Sequence, residues 1–161
     1  MIEIISAFAK TILERGYDSL LENKGFKRIV GAIKEQIKRE LRLNVEIIDE
    51  SFSAAEVSGK SIEPNKSNTA FGLIKTSTFD SISKGAIPLS VLLSEEIDVK
   101  IYPKTNAQYI KYCAKDKKLF ELIERTYFRL EVAKAYSQIP NSKIDIGYVK
   151  FLMLSSIKAL K

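Results

Sequence analysis

Apolar residues recur at helical spacing over both ends of the chain and lose any period in the middle. Between Ile2 and Asn23, the residues Ile5, Phe8, Ile12 and Leu20 share one face with Gly16, which predicts an amphipathic helix. Gly25 interrupts this pattern. Phe26, Ile29, Val30, Ile33, Ile37 and Leu41 then fall within about a third of the helical circumference, the stripe a helix needs to cover a core. A second helix is expected from about residue 26 to 43, and residues 44–49 (NVEIID) either continue it or form a short strand.

From Glu50 to Pro88 serine and asparagine dominate, with Pro64 and scattered glycines. This composition predicts loop or irregular structure. Within and after it, residues 71–79 (FGLIKTSTF) and 98–103 (DVKIYP) have strand-like composition. Residues 88–96 suit a short helix entered through Pro88. A long helix is predicted from Asn106 to Ser137 with Thr105 as N-cap. Tyr109, Tyr112, Cys113, Phe120, Ile123, Tyr127 and Leu130 form one stripe along it, and Phe128, Val132, Ala135 and Ile139 form a second, expected to sit between neighbours. Ser142 and Asp145 have capping-box spacing for a last helix to Leu160, apolar nearly all round. The expected fold is mainly α, a single-domain helical bundle (1–161) with helical parts 1–49 and 104–161 around an irregular insert, 50–103, containing a few short strands.

At 161 residues, with 45% hydrophobic and 29% charged residues, the chain can bury a core of its own and lacks the signature of disorder. Zero histidines and one cysteine leave no ligand set for zinc, copper or iron and no intramolecular disulfide, so neither metal nor cofactor is expected. The first residues lack a basic region ahead of an apolar run, and no stretch approaches about 18 apolar residues. A cytoplasmic protein outside the membrane is expected. The net charge of +6 favours an acidic partner, nucleic acid or an anionic membrane surface. The 26–43 helix needs its apolar face for the core, which argues against the membrane.

Catalytic chemistry finds little to work with. Residues 54–61 (AAEVSGKS) meet a relaxed phosphate-loop pattern, but Ala54 replaces the first glycine and EPNKSN follows where a helix should start, so a polar turn is the reading. Asp49/Glu50 and Glu95/Glu96 are adjacent in sequence and diverge in regular structure, as solvated charges do. Cys113 lies in an apolar stripe and reads as a buried thiol. No enzyme is expected.

Basic faces carry more. Lys27, Lys34 and Lys38 share a row beside the apolar stripe of the second helix and Arg42 continues around it, while Lys111, Lys118, Arg125 and Arg129 line up along the long helix. Such rows suit the backbone of RNA or single-stranded DNA, read without base specificity. As surface cations, Arg125 and Arg129 are expected to tolerate reversal to Glu with little change in stability. Phe151 and Leu154, turned away from the main face of the last helix, are expected at an interface with other subunits or copies of the chain. In these basic rows and the apolar 144–160 helix the chain resembles the small helical subunits of CRISPR effector complexes. The resemblance implies a non-catalytic accessory subunit that binds nucleic acid backbone within an assembly, in prokaryotic antiviral defence. The serine-rich middle segment is not something that pattern requires. The alternative is a protein-interaction or regulatory module whose charge is incidental.

Overall fold

The structure, a computed structural model, describes residues 23–57, 64–85, 87–102, 107–113, 115–139 and 142–161. The helix expected between Ile2 and Asn23 and the Thr105 cap lie outside these residues. Most of the described residues are helical, as the apolar spacing predicts.

Helix α1 runs Lys24–Ser51. It starts where the Asn23 side chain accepts the Gly25 N–H at 2.8 Å, a standard N-cap. Residues 44–49 continue it, because Asn44 and Ile48 extend the buried face set by Phe26, Ile33, Ile37 and Leu41. After an extended Phe52, helix α2 (Ala54–Val57) is closed by a capping box. The Ser53 N–H donates to Glu56 Oε2 at 2.8 Å while Ser53 Oγ accepts the Glu56 N–H at 3.4 Å. Lys66 Nζ reaches both Glu56 oxygens at 2.9 and 2.8 Å. Its hydrogen bond, followed by that of the Ser53 N–H, holds the carboxyl down at about 2.

Among the described residues, the middle of the chain is largely helical rather than irregular. Helices α3 (Pro64–Leu73), α4 (Ser77–Ser83) and α5 (Leu89–Leu92) are followed by a 3₁₀ turn at Val99–Ile101. Residues 71–79 therefore hold a helix end, a bend and a helix start, not a strand. The bend is fixed from α1. Asn44 Nδ2 donates to the Lys75 carbonyl at 2.7 Å and Asn44 Oδ1 accepts the Lys75 N–H at 2.8 Å. These bonds replace a strand ladder for that backbone, and Ala70, Phe71, Ile74 and Ile82 enter the core on either side. At 98–103 the Asp98 carboxylate accepts the Lys100 N–H at 2.9 Å, a local side-chain bond that competes with strand pairing. Among the described residues, strand-like pairing is confined to one antiparallel bridge, Glu96 with Lys118.

The long helix predicted from Asn106 is two helices, α6 (Ala107–Cys113) and α7 (Leu119–Ser137). The chain turns at Asp116, whose N–H reaches the Cys113 carbonyl at 2.9 Å. Helix α7 then starts afresh, its first turn capped by Glu121, which accepts the N–H groups of Lys117 and Lys118 at 2.7 and 2.9 Å. Those two bonds hold the Glu121 carboxyl below its ordinary range. The last helix, α8, is Ile146–Ala159. Its cap is Asp145, which accepts the Tyr148 N–H at 2.9 Å, whereas Ser142 Oγ turns back to the Tyr136 carbonyl.

Helix α8 is apolar on nearly every side because it serves two clusters. Ile146, Val149, Met153 and Leu160 join the main core with Ile33, Ile37, Leu41, Ile123 and Leu130. Tyr148, Phe151 and Leu152 join a smaller one with Tyr102, Cys113 and Leu122. Gly147 sits where α8 crosses α2. A Cβ built there meets the Val57 carbonyl oxygen at 2.8 Å and Tyr109 Oη at 3.1 Å. Gly147→Ala is expected to cost about 1–3 kcal/mol through overpacking against backbone, measured as a lowered denaturant midpoint at unchanged slope.

Candidate nucleic-acid interface

Four of the eight basic residues singled out above are held in ion pairs. Lys34 is bound to Glu95, Lys38 lies 3.5 Å from Glu35, and Lys118 lies 3.3 Å from Glu96. Arg125 makes a two-pronged bond to Asp116, Nε to Oδ2 at 2.6 Å and Nη2 to Oδ1 at 2.8 Å. Asp116 is buried beside Cys113, so this pair is a structural staple that fixes the α6–α7 turn. The carboxylate pairs follow the same logic as surface counter-ions: Glu95 and Glu96 hold Lys34 and Lys118, and Asp49 holds Lys150. The break between α6 and α7 also divides the row Lys111/Lys118/Arg125/Arg129, leaving Lys111 on a separate helix.

Exposed cations that make no ion pair among the described residues include two sets, one on α1 and one on α6 and α7. On α1, Lys24, Lys27, Arg28, Arg39 and Arg42 are all exposed and, among the described residues, make no ion pair. The first turn of α1 holds no acidic residue and the last no basic one; Glu46, Asp49 and Glu50 stand at its C-terminal end instead. Both ends oppose the helix dipole, which favours anions near the N-terminus and cations near the C-terminus by about 0.3–1 kcal/mol each. Local helix stability does not explain the arrangement. It concentrates positive charge along the first two thirds of the helix, about 27 Å from Lys24 to Arg42 at 1.5 Å per residue.

The second set is Lys111 on α6 and Arg129 on α7, the latter against Tyr148 of α8. Lys111 and Arg129 are exposed, and the Arg129 guanidinium stands 5.6 Å from the centre of the Tyr148 ring. The Tyr112 ring meets the same ring edge-on at 6.0 Å and is itself 54% exposed. The apolar spacing predicts Tyr112 in a core stripe; with α6 a helix apart from α7, Cys113 is its buried residue and Tyr112 faces outward. The half-buried Tyr109 phenol and the buried Cys113 thiol beneath serve packing. Burial first, and Asp145 second, push Tyr109 up to about 12, and burial raises Cys113.

Phe151, expected at a partner interface, is 2% exposed and stacked on Tyr102 at 5.8 Å, so it is unavailable to a partner. Leu154 remains 40% exposed. The second stripe of the predicted long helix is also largely uncovered: Phe128, Ala135 and Ile139 are exposed and Val132 is half-buried, rather than sandwiched.

The AAEVSGKS string starts with a helical turn and follows helix α1, where a phosphate loop requires a strand. Its Gly59 and Lys60 lie outside the described residues. No helix among the described residues is long and apolar enough to cross a membrane. Compared with known protein families, characterised proteins and solved structures, the chain matches none.

Proposed function

We propose that the chain is a non-catalytic helical accessory subunit that binds nucleic acid backbone within a larger assembly. The observation that carries this reading is the outward face of α1, where Lys24, Lys27, Arg28, Arg39 and Arg42 are exposed, make no ion pair among the described residues and are arranged against the helix dipole. Phosphates spaced along a strand match a row of such charges, and neutralising them releases counter-ions. The four cations already paired to carboxylates contribute little to this surface, so the α1 face takes the role that the longer rows suggested. The resemblance to small helical subunits of CRISPR effector complexes now rests on this face and on α8, and a place in antiviral defence rests on that resemblance.

Binding should depend weakly on base sequence and steeply on salt. The double variant Arg28→Gln/Arg42→Gln is expected to lower the slope of log K against log[salt] by about 1.4 on single strands, or about 1.8 on duplex DNA, and to weaken all sequences alike. Fluorescence anisotropy across a salt series measures this. Absence of binding to any DNA or RNA at low salt would overturn the proposal. The uncovered Phe128, Ile139 and Leu154 favour a second reading, a protein-interaction module, which that result would leave standing.

A further inference from the structure

The corner formed by α6, α7 and α8 combines open aromatic rings with exposed cations. Tyr112 is 54% and Tyr136 48% exposed. Arg129 and Tyr136 are seven residues apart on α7 and so occupy the same face of the helix. Tyr148 joins Arg129 to Tyr112, since its ring lies under the Arg129 guanidinium at 5.6 Å and against the Tyr112 edge at 6.0 Å. Tyr148 is fixed from below by Tyr109 at 5.2 Å and Phe151 at 6.5 Å. Tyr112 therefore leans on a rigid aromatic base while its own ring stays open to solvent.

Charge selects the occupant. Lys111, beside Tyr112, and Arg129 are exposed and make no ion pair among the described residues. Of the nearby carboxylates, Asp116 is neutralised by Arg125, while the exposed Asp145 accepts the Tyr109 hydroxyl at 2.8 Å and keeps its charge. An apolar protein surface would satisfy the rings and leave the cations desolvated. A ligand with flat faces and regularly spaced negative charge satisfies both.

We infer that this corner takes single-stranded nucleic acid, with bases stacked on Tyr112 and Tyr136 and phosphates at Lys111 and Arg129. A duplex hides its base faces in its own stack and offers only phosphates, so the rings reward single strands alone. The inference rests on the backbone-binding reading of α1 and adds the strand state that it selects. Stacking on an exposed ring is sequence-tolerant, which keeps recognition independent of base identity.

The test compares Tyr112→Ala, Tyr112→Phe and Arg129→Gln with the unmodified chain, by anisotropy, on single-stranded DNA, single-stranded RNA and a duplex of equal length. The unmodified chain is expected to prefer single strands. Tyr112→Ala should weaken single-strand binding about 5- to 150-fold and leave duplex binding and the salt slope unchanged. Tyr112→Phe keeps the ring and should keep the affinity. Arg129→Gln should lower the single-strand slope by about 0.7. Thermal midpoints check that each variant folds. Equal single-strand and duplex affinity, or a Tyr112→Ala variant that binds single strands as before, overturns this inference while the α1 reading stands. Loss of all binding by the unmodified chain overturns both.

Discussion

Arg125→Glu is expected to lower the thermal midpoint by roughly 10 °C, whereas Arg129→Glu, one helical turn away, should leave it nearly unchanged. The two arginines look alike in sequence and differ in what they meet. The Arg125 guanidinium holds both oxygens of a buried Asp116 at 2.6 and 2.8 Å, and this bond raises its pKa above the ordinary value. Reversal removes the cation, leaves the Asp116 carboxylate without its partner and sets a second carboxylate against it. Breaking a buried pair from one side costs about 3–5 kcal/mol, and Arg125 is shielded enough for the lower end of that range to apply. Arg129 lies on solvent over the Tyr148 ring, a contact worth about 0.5–1 kcal/mol. Differential scanning calorimetry of both variants checks the ranking, and an Arg125→Gln/Asp116→Asn cycle isolates the pair. Equal midpoints for the two charge reversals would place Arg125 in solvent and restore it to the list of phosphate contacts.

The contrast shows which parts of the molecule were legible. Helix α1 was readable because its stripe of Phe26, Ile33, Ile37 and Leu41 repeats at one period over many turns, and all four residues are buried. Helix α8 was readable for the opposite reason: no face is polar, and two clusters use it. The break at Asp116 was not, because Tyr109 to Leu130 keep a helical apolar period across it and the cause, Arg125, is only one of several cations. The short helices between Pro64 and Leu92 carry too few turns to set a period, and what orders the bend between two of them is α1, far away in sequence. The candidate interface was half legible. Charge spacing named Lys27, Arg42, Lys111 and Arg129, which are exposed and make no ion pair among the described residues, but spacing does not reveal counter-ions such as Glu95 and Glu96, which come from another segment. Lys24, Arg28 and Arg39 gained weight only once their exposure and the reversed charge order of α1 were seen.

Glu40 and Asn44 fall in the middle of the apolar stripe of α1, one turn apart, where polar groups are costly unless bonded. Both are buried. Asn44 clamps Lys75, and Glu40 completes the same junction. Its Oε2 accepts the Thr78 N–H at 2.8 Å and the Ser77 hydroxyl at 3.1 Å, and its Oε1 accepts the Tyr127 hydroxyl at 2.7 Å. The N-terminus of α4 has no side-chain cap from Thr76, so Glu40 caps it from another helix, a carboxylate placed where the dipole favours it. Burial first, then the Glu40 charge, raises Tyr127 far above an ordinary phenol, so it stays a proton donor at every physiological pH. Its ring stacks on Phe79 of α4 at 4.3 Å, which ties α7 to the same junction. Removing one hydrogen bond to a charged group costs about 1.5–3 kcal/mol, so Tyr127→Phe is expected to lose about that much. Glu40→Ala removes three such bonds, strands the Tyr127 hydroxyl and the Thr78 N–H in a dry site and opens a cavity. Its loss should exceed that of Tyr127→Phe by about 2 kcal/mol or more. Chemical denaturation of both single variants and the double variant measures it. Because most of the Tyr127 contribution passes through Glu40, the double variant should be little worse than Glu40→Ala alone. Additive losses, or a Glu40→Ala variant as stable as Tyr127→Phe, would mean that Glu40 does not hold α1, α4 and α7 together.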